Sequence, residues 1–405
     1  MGALTGPNGK IELLDELARA GIDRRTLLRR AGAGALGLGL AQFLAACGGG
    51  GGGSDAARPG VIPRGEIADR LNFSNWRFYI DPKVLRDFER KFGTRVEYTE
   101  EITDNVKFFN KVHEQLERGS SGGRDMFVLT DWMASRMIRL GYVHRLDKSV
   151  LTNVEKNLLP ALKNPSFDFG REFSVPWQSG LTGLIARTDR VRPQSVNDAF
   201  DPKLKGKVTM LAEMRDTIGL VLLGMGTKPE LATLDQALEA VEKVEKAIRD
   251  GQIRRLTGKD YAADLVGGDT SLAFGWSGDA VNLEAENANI RFFVPKEGVN
   301  IWSDNMQVPI GAPHAYTAEK MINYVYDPEV QAKITSFVNY VSPVKGVKQV
   351  IETEDPATAR NELIFPSDAT LAKAHQHIEL EPDEGQELDA RFQEVIAAAS
   401  GADRS

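Results

Sequence analysis

The stretch from Phe173 to Arg187 reads FSVPWQSGLTGLIAR. It carries no charge between its ends except the final arginine and exceeds the roughly five or six residues of an ordinary strand. One extended segment of this length can cross from one packed unit into a second. On its N-terminal side LNFSNW, TRVEYTE and DMFVLT read as strands; on its C-terminal side KGKVTML, TSLAFGW and NIRFFVP do the same. Amphipathic helical patterns lie between them. Asp81 to Phe92 puts Val84, Leu85, Phe88 and Phe92 on one face, and the next helix does so with Val106, Phe109, Val112 and Leu116. TLDQALEAVEKVEKAIRDG turns Leu234, Leu238, Val241, Val244 and Ile248 inward and stops at glycine. TAEKMINYVYDPEVQAKITSFVNY breaks into two helices at Asp327-Pro328. Such alternation defines an α/β fold, and its extent on both sides of the crossing segment predicts two sheets. Open α/β sheets bind ligands beyond the carboxyl ends of their strands, so functional side chains are expected just after the strands.

A chain of 405 residues is long enough for two or three packed units without covalent staples, and its single cysteine, Cys47, allows no internal disulfide. Hydrophobic residues make up 42% and charged residues 26%, an ordinary soluble composition that points to neither a disordered chain nor a multispan membrane protein. The formal charge is −7. Removing residues 1–46, with six basic and four acidic residues, leaves −9. An acidic body argues against nucleic acid and anionic lipid and mildly for cationic partners.

The front of the chain reads as an address. Arg24-Arg25 precedes an apolar run from Ala31 to Ala46 that is too short and too rich in glycine for a membrane span. It resembles the twin-arginine signals of proteins exported in folded form, with Leu where Phe is commoner. Leu44-Ala45-Ala46-Cys47 resembles a bacterial lipobox, which implies cleavage before Cys47 and lipidation of its thiol. Gly48 to Gly53 and Ser54 cannot pack or hold a helix, so they read as a flexible tether. Residues 1–46 are therefore expected to be the signal, and 47–67 the anchored tether.

No P-loop, His-Glu-x-x-His or Gly-x-Ser-x-Gly motif occurs. His375 and His377 have the spacing of a metal pair, but two solvated polar residues are the simpler expectation, and no metal or cofactor is expected. Paired carboxylates could serve a hydrolase, and 57 acidic residues leave that alternative open. What stands out is the placing of the tryptophans. Trp76 in SNWRFYIDP, Trp132 in LTDW, Trp177 in VPWQSG, Trp276 in FGWSGDA and Trp302 in NIWSDN all follow or end a strand-like run, beside polar or acidic neighbours. One such ring is ordinary core; five at one topological position point to an aromatic-lined pocket. Rings with a few carboxylates suit an organic cation.

These segments resemble the substrate-binding proteins of bacterial polyamine (spermidine/putrescine) ABC transporters, over most of residues 68–350. The resemblance lies in FSNWRFYI, DMFVLTDWMASRM, LTNVEKNL, FSVPWQSGLTGL, FGWSGDA, VPKEGVNIWSDNMQVP and EKMINYV. It implies a two-lobed periplasmic-binding-protein fold of type II, closing on its ligand. It also implies an ABC permease as partner, a monomer, and a place on the outer face of the cytoplasmic membrane. The first lobe is expected at 68–180 and 299–350, the second at 181–298, and a C-terminal helical segment at 351–405 packs on the second. Carried over position by position, the resemblance puts Trp76, Tyr79, Thr130, Trp132, Trp276, Trp302 and Tyr340 around the ligand. Asp304 pairs with an ammonium, and Glu213 and Asp216 supply the second lobe's acids. Arg77 and Phe78 depart from the pattern, standing where a small hydroxyl residue and an acid are usual. An inward Arg77 would imply a ligand with a carboxylate or hydroxyls besides an amine, such as an amino acid or sugar derivative. Signalling through a membrane partner instead of import is a further alternative.

Overall fold

Residues 60–402 are described by a computed structural model; the segment expected to be an export signal, Cys47 and the glycine run lie outside the described residues. The strands are β1 (Arg70–Trp76), β2 (Arg95–Ile102), β3 (Met126–Thr130), β4 (Val175–Arg187), β5 (Val208–Leu211), β6 (Ile253–Thr257), β7 (Leu272–Trp276), β8 (Ile290–Phe293), β9 (Val299–Gln307) and β10 (Ala374–His375). Their order is β2-β1-β3-β9-β4-β7-β5-β6, with β8 added to β4 and β10 to β9. The crossing segment forms β4. Its first half pairs antiparallel with β9, from Val175 opposite Met306 to Thr182 opposite Asn300. Its second half pairs with β7, from Thr182 opposite Trp276 to Ala186 opposite Leu272. β9 in turn pairs with β3, ending at Thr130 opposite Asp304.

The expectation of two separate sheets is therefore corrected: because β4 and β9 are hydrogen-bonded to each other and to strands of both halves, one continuous ladder runs through the molecule. β9 has no counterpart among the strands expected from pattern. VNIWSDNMQ is mostly polar and lacks alternation, yet Asn300, Ser303, Asp304, Asn305 and Gln307 are all buried because both faces of the strand are covered.

Helices cover both ends of this ladder. In the helix Pro82–Phe92, Asp81 accepts a hydrogen bond from the Lys83 N–H, proline occupies the first turn, and Gly93 closes the helix at φ 68°. Val84 and Phe88 enter a first core with Phe73, Val128, Trp177, Met306 and Ile322. Phe108, Phe109, Val112 and Leu116 of the helix Asn105–Glu117 pack with Phe127 and Met133 on the other side of β3; Val106 lies at the edge of that face and Phe108 takes the interior place. The second lobe is built around Leu184, Ile185, Phe274, Leu220 and Val241. In its helix Leu234–Arg249 the fully buried stripe is Ala237, Ala240, Val241, Val244 and Ala247, with Leu238 and Ile248 flanking it.

The ends of the expected lobes differ in detail. Residues 60–67, placed in the tether, lie along the first lobe: Ile62 is buried, its N–H donates to the Arg145 carbonyl at 3.0 Å, and Arg64 pairs with Asp147 at 3.0 Å. The segment after residue 350 divides. Ile351 and Ala359 enter the first core, whereas Ile378 and, from the helix Pro382–Ala402, Leu388, Phe392 and Val395 enter the second.

Candidate functional site

Both crossing strands and the ends of β1, β3 and β7 converge on a cavity of about 50 Å3 between the two cores. It is lined by Trp76, Tyr79, Thr130, Glu213, Asp216, Lys259, Trp276, Trp302, Asp304 and Tyr340. Asp304 is 5% exposed. One of its carboxylate oxygens accepts from the Tyr79 hydroxyl and the other from the Thr130 hydroxyl, each at 2.8 Å. Thr130 accepts in turn from Asn105 Nδ2 at 3.0 Å. Burial pushes the Asp304 carboxyl up to about 7, against the pull of those two hydrogen bonds.

Asp216 sits on the first turn of the helix Met214–Gly224 and is also buried. It accepts from the Thr182 hydroxyl at 2.5 Å and from Trp276 Nε1 at 3.0 Å. Thr182 is shared, because Trp302 Nε1 donates to it at 2.9 Å. Glu213, half-buried, accepts from Asn105 Nδ2 at 3.4 Å; burial, with the charges of Asp104 and Asp216, pushes its carboxyl well above the usual range. The rings complete the wall. Tyr340 meets Tyr79 edge-on at 5.6 Å and Trp302 at 5.5 Å. A Cβ at Gly180 would stand 2.4 Å from the Trp302 ring, so only glycine on β4 leaves room for the indole there.

Of the residues expected from sequence, the cavity brings together all but two. Arg77 is exposed, and its guanidinium lies over the Phe78 ring at 4.8 Å. The reason is a turn: Phe78 adopts φ 57°, its N–H donates to Glu100, and Tyr79 swings back inward while 77 and 78 face water. Trp132 belongs to a second cavity. It starts the helix Asp131–Arg139, rotated away from Thr130, and its ring lies 3.7 Å beneath the Arg215 guanidinium. That cavity encloses about 620 Å3 and is bounded by Arg136, Arg171, Arg215, Asp131, Asp389 and His377, with Trp302 as a wall common to both spaces. Arg215 pairs with Asp389 at 2.9 Å.

Four participants escaped the pattern. Thr182 and Asn105 look like ordinary strand and helix-start residues, although the two-residue spacing of Gly180 and Thr182 puts both on one face of β4. Lys259 lines the cavity 3.6 Å from Asp279, which also accepts from the Tyr261 hydroxyl at 2.7 Å. His377 reaches Asp216 from the C-terminal segment. His375 instead contacts Glu230 at 3.1 Å, and among the described residues no group of three or more His, Cys, Asp or Glu is placed to hold a metal ion. Nor is any described helix long and apolar enough to cross a membrane.

A two-lobed ladder with carboxylates and rings gathered at its crossing strands is the architecture of a solute-binding protein, and the chain belongs to the bacterial extracellular solute-binding protein family, whose model matches residues 83–365. It is similar to the spermidine/putrescine-binding periplasmic protein 1 of Haemophilus influenzae, with 26% identity over 371 residues, 89% of this chain and 98% of the relative. A putrescine-binding periplasmic protein of Escherichia coli is 28% identical over 324 residues, 75% of this chain and 85% of that one. The solved structure of a putative spermidine/putrescine ABC transporter from Listeria monocytogenes superposes with a TM-score of 0.73 at 26% identity, covering 81% of this chain and 99% of the other.

Proposed function

We propose that this protein captures a polyamine, putrescine-like or spermidine-like, or a related organic cation between its lobes and delivers it to an ABC importer. One observation carries the reading: Asp304 and Asp216 are buried among aromatic rings and held by neutral donors from Tyr79, Thr130, Thr182 and Trp276, with no lysine or arginine of the described residues in hydrogen-bond contact with either and only the titratable His377 beside Asp216. A desolvated carboxylate without a cation is costly, and a ligand ammonium removes that cost. The rings attract the ammonium by their quadrupoles and cover its methylene chain. The names of the relatives agree with this reading. The site is a receptor and is assigned no chemical step. Import with an ABC permease, export by the twin-arginine signal, anchoring through Cys47 and a monomeric state complete the proposal.

The test is a thermal-shift series with putrescine, cadaverine, spermidine, 4-aminobutyrate, basic amino acids and sugars. A ligand of the folded state raises the melting temperature with the logarithm of its concentration over Kd. A shift with the amines supports the reading; a shift with a sugar and none with any amine replaces it. Lys259 favours one narrower version, in which the ligand's far end is uncharged or acidic, because a second ammonium beside Lys259 is repelled. A larger shift with 4-aminobutyrate than with putrescine selects that version.

A further inference from the structure

The family match ends at residue 365, yet the segment beyond it reaches the candidate site. His377 Nε2 stands 3.1 Å from an Asp216 oxygen, with the histidine side chain 8% exposed and the aspartate 4%. The other side-chain donors to this carboxylate, the Thr182 hydroxyl and the Trp276 indole, cannot change charge near neutral pH. An imidazole can.

The charged groups around His377 are otherwise engaged. From its own helix Asp216 has Arg215 as neighbour, whose guanidinium is paired with Asp389 of the C-terminal helix at 2.9 Å. The helix Asp131–Arg139 contributes Arg136, 3.9 Å from the same Asp389, and Arg139, which donates to Ser135. It also contributes Asp131, which accepts from the Ser303 N–H and from Asn305 Nδ2. Arg171 donates to the Leu162 carbonyl and to Asn305. On His377's own segment Glu379 and Glu381 are exposed. Nothing among these described groups supplies Asp216 with a fixed positive partner in hydrogen-bond contact.

We propose that His377 is the proton-coupled counter-ion of Asp216: it carries a proton while the cavity is empty and gives it up to solvent when a ligand cation reaches that carboxylate. The inference rests on the reading of the site as a cation receptor. In the empty protein Asp216 and Asp304 line one cavity, and an imidazolium on Asp216 offsets part of their repulsion. A ligand ammonium competes with the imidazolium for the same carboxylate, so each weakens the other by the same factor. Affinity for a cation therefore falls as pH falls through the imidazole range. Asp304 and Glu213, whose carboxyls burial raises, also exchange protons as an ammonium arrives, so removal of His377 is what separates its contribution from theirs. His377 acts through Asp216 and is a positioning residue with a titratable charge.

The experiment is calorimetric titration of the full-length protein with putrescine, cadaverine and spermidine, near pH 6.5, in buffers of low and high ionisation enthalpy, which counts protons released per ligand bound. His377→Gln is expected to release fewer protons than the wild type, by up to one. Its Kd should also lose up to about tenfold per pH unit of acid sensitivity. A variant that binds more weakly at every pH with an unchanged proton count overturns the proposal and leaves the receptor reading standing. A wild-type protein that binds neither these three amines nor 4-aminobutyrate overturns the receptor reading and the proposal with it. Imidazole 15N shifts of the wild type, assigned with His377→Asn, give a second measure read on the unaltered site: the His377 titration must move to lower pH on saturation with amine, and an unmoved titration also overturns the proposal.

Discussion

Two cavities share the Trp302 wall and treat two of their carboxylates differently, Asp389 in the larger and Asp304 in the smaller. In the larger, Asp389 is paired with Arg215 and lies near Arg136, so its charge is spent inside the protein. In the smaller, Asp304 and Asp216 are held by hydroxyls and an indole, with His377 as the one partner able to carry a positive charge. β9 separates the two chemistries by its pleat: Trp302 and Asp304 line the small cavity, while Ile301 and Ser303 line the large one. Acidic residues alone do not mark a cation site. What sets the small cavity apart is that its buried acids stand among aromatic rings with no lysine or arginine in hydrogen-bond contact.

The comparison is broken most directly at Asp304. Asp304→Asn is expected to weaken amine binding by about a hundredfold or more, the loss of a desolvated charge pair, measured by calorimetry. The same variant should be more stable when empty. Because the folded-state carboxyl titrates near 7, above its ordinary value of 3.8, its contribution to stability is present below about pH 4 and lost as pH rises through 7. At pH 8, Asp304→Asn should recover up to on the order of 4 kcal/mol, seen as a higher melting temperature. Equal stability of the two proteins at that pH sinks this account.

Trp276→Phe removes an indole donor from Asp216 while keeping a ring, and about a tenfold loss of affinity is expected for one hydrogen bond to a charged group. On the other side of the wall, Asp389→Asn should cost about 1 to 3 kcal/mol of stability by leaving the stacked Arg215 without its acid, with the Kd of the small cavity changed less than about threefold. A loss of binding as large as that of Trp276→Phe would mean the two cavities act as one site. Arg77→Ala, at a side chain turned to water, should change Kd by less than about twofold in the same titrations.

Alternating α/β order, most strands and the break at Asp327-Pro328 were legible in the sequence because they depend on local hydrophobic period and turn chemistry. β9 was not, since a strand covered on both faces by polar networks has no apolar alternation to read. Of the cavity-lining side chains, Trp76 and Trp276 stand at strand ends as the strand rule anticipates, whereas Trp302 and Asp304 lie within β9 itself. Arg77 illustrates another limit: its direction depends on one left-handed residue, Phe78, a conformation bulky side chains seldom adopt and no pattern announces. His377 sat too far along the chain to be joined to Asp216 without knowing where the C-terminal segment folds back.

The placement of Trp302 and Asp304 on one strand has a metrical consequence. Residues two apart on a strand are separated by about 6.6 Å along it, and pairing of β9 with both β3 and β4 holds that interval fixed. β9 is thus a ruler with its zero mark at the carboxylate and a ring at the first graduation. Cations of different chain length start from the same mark, and the difference between them falls on the lining contributed by other elements, Lys259 and Trp276 among it.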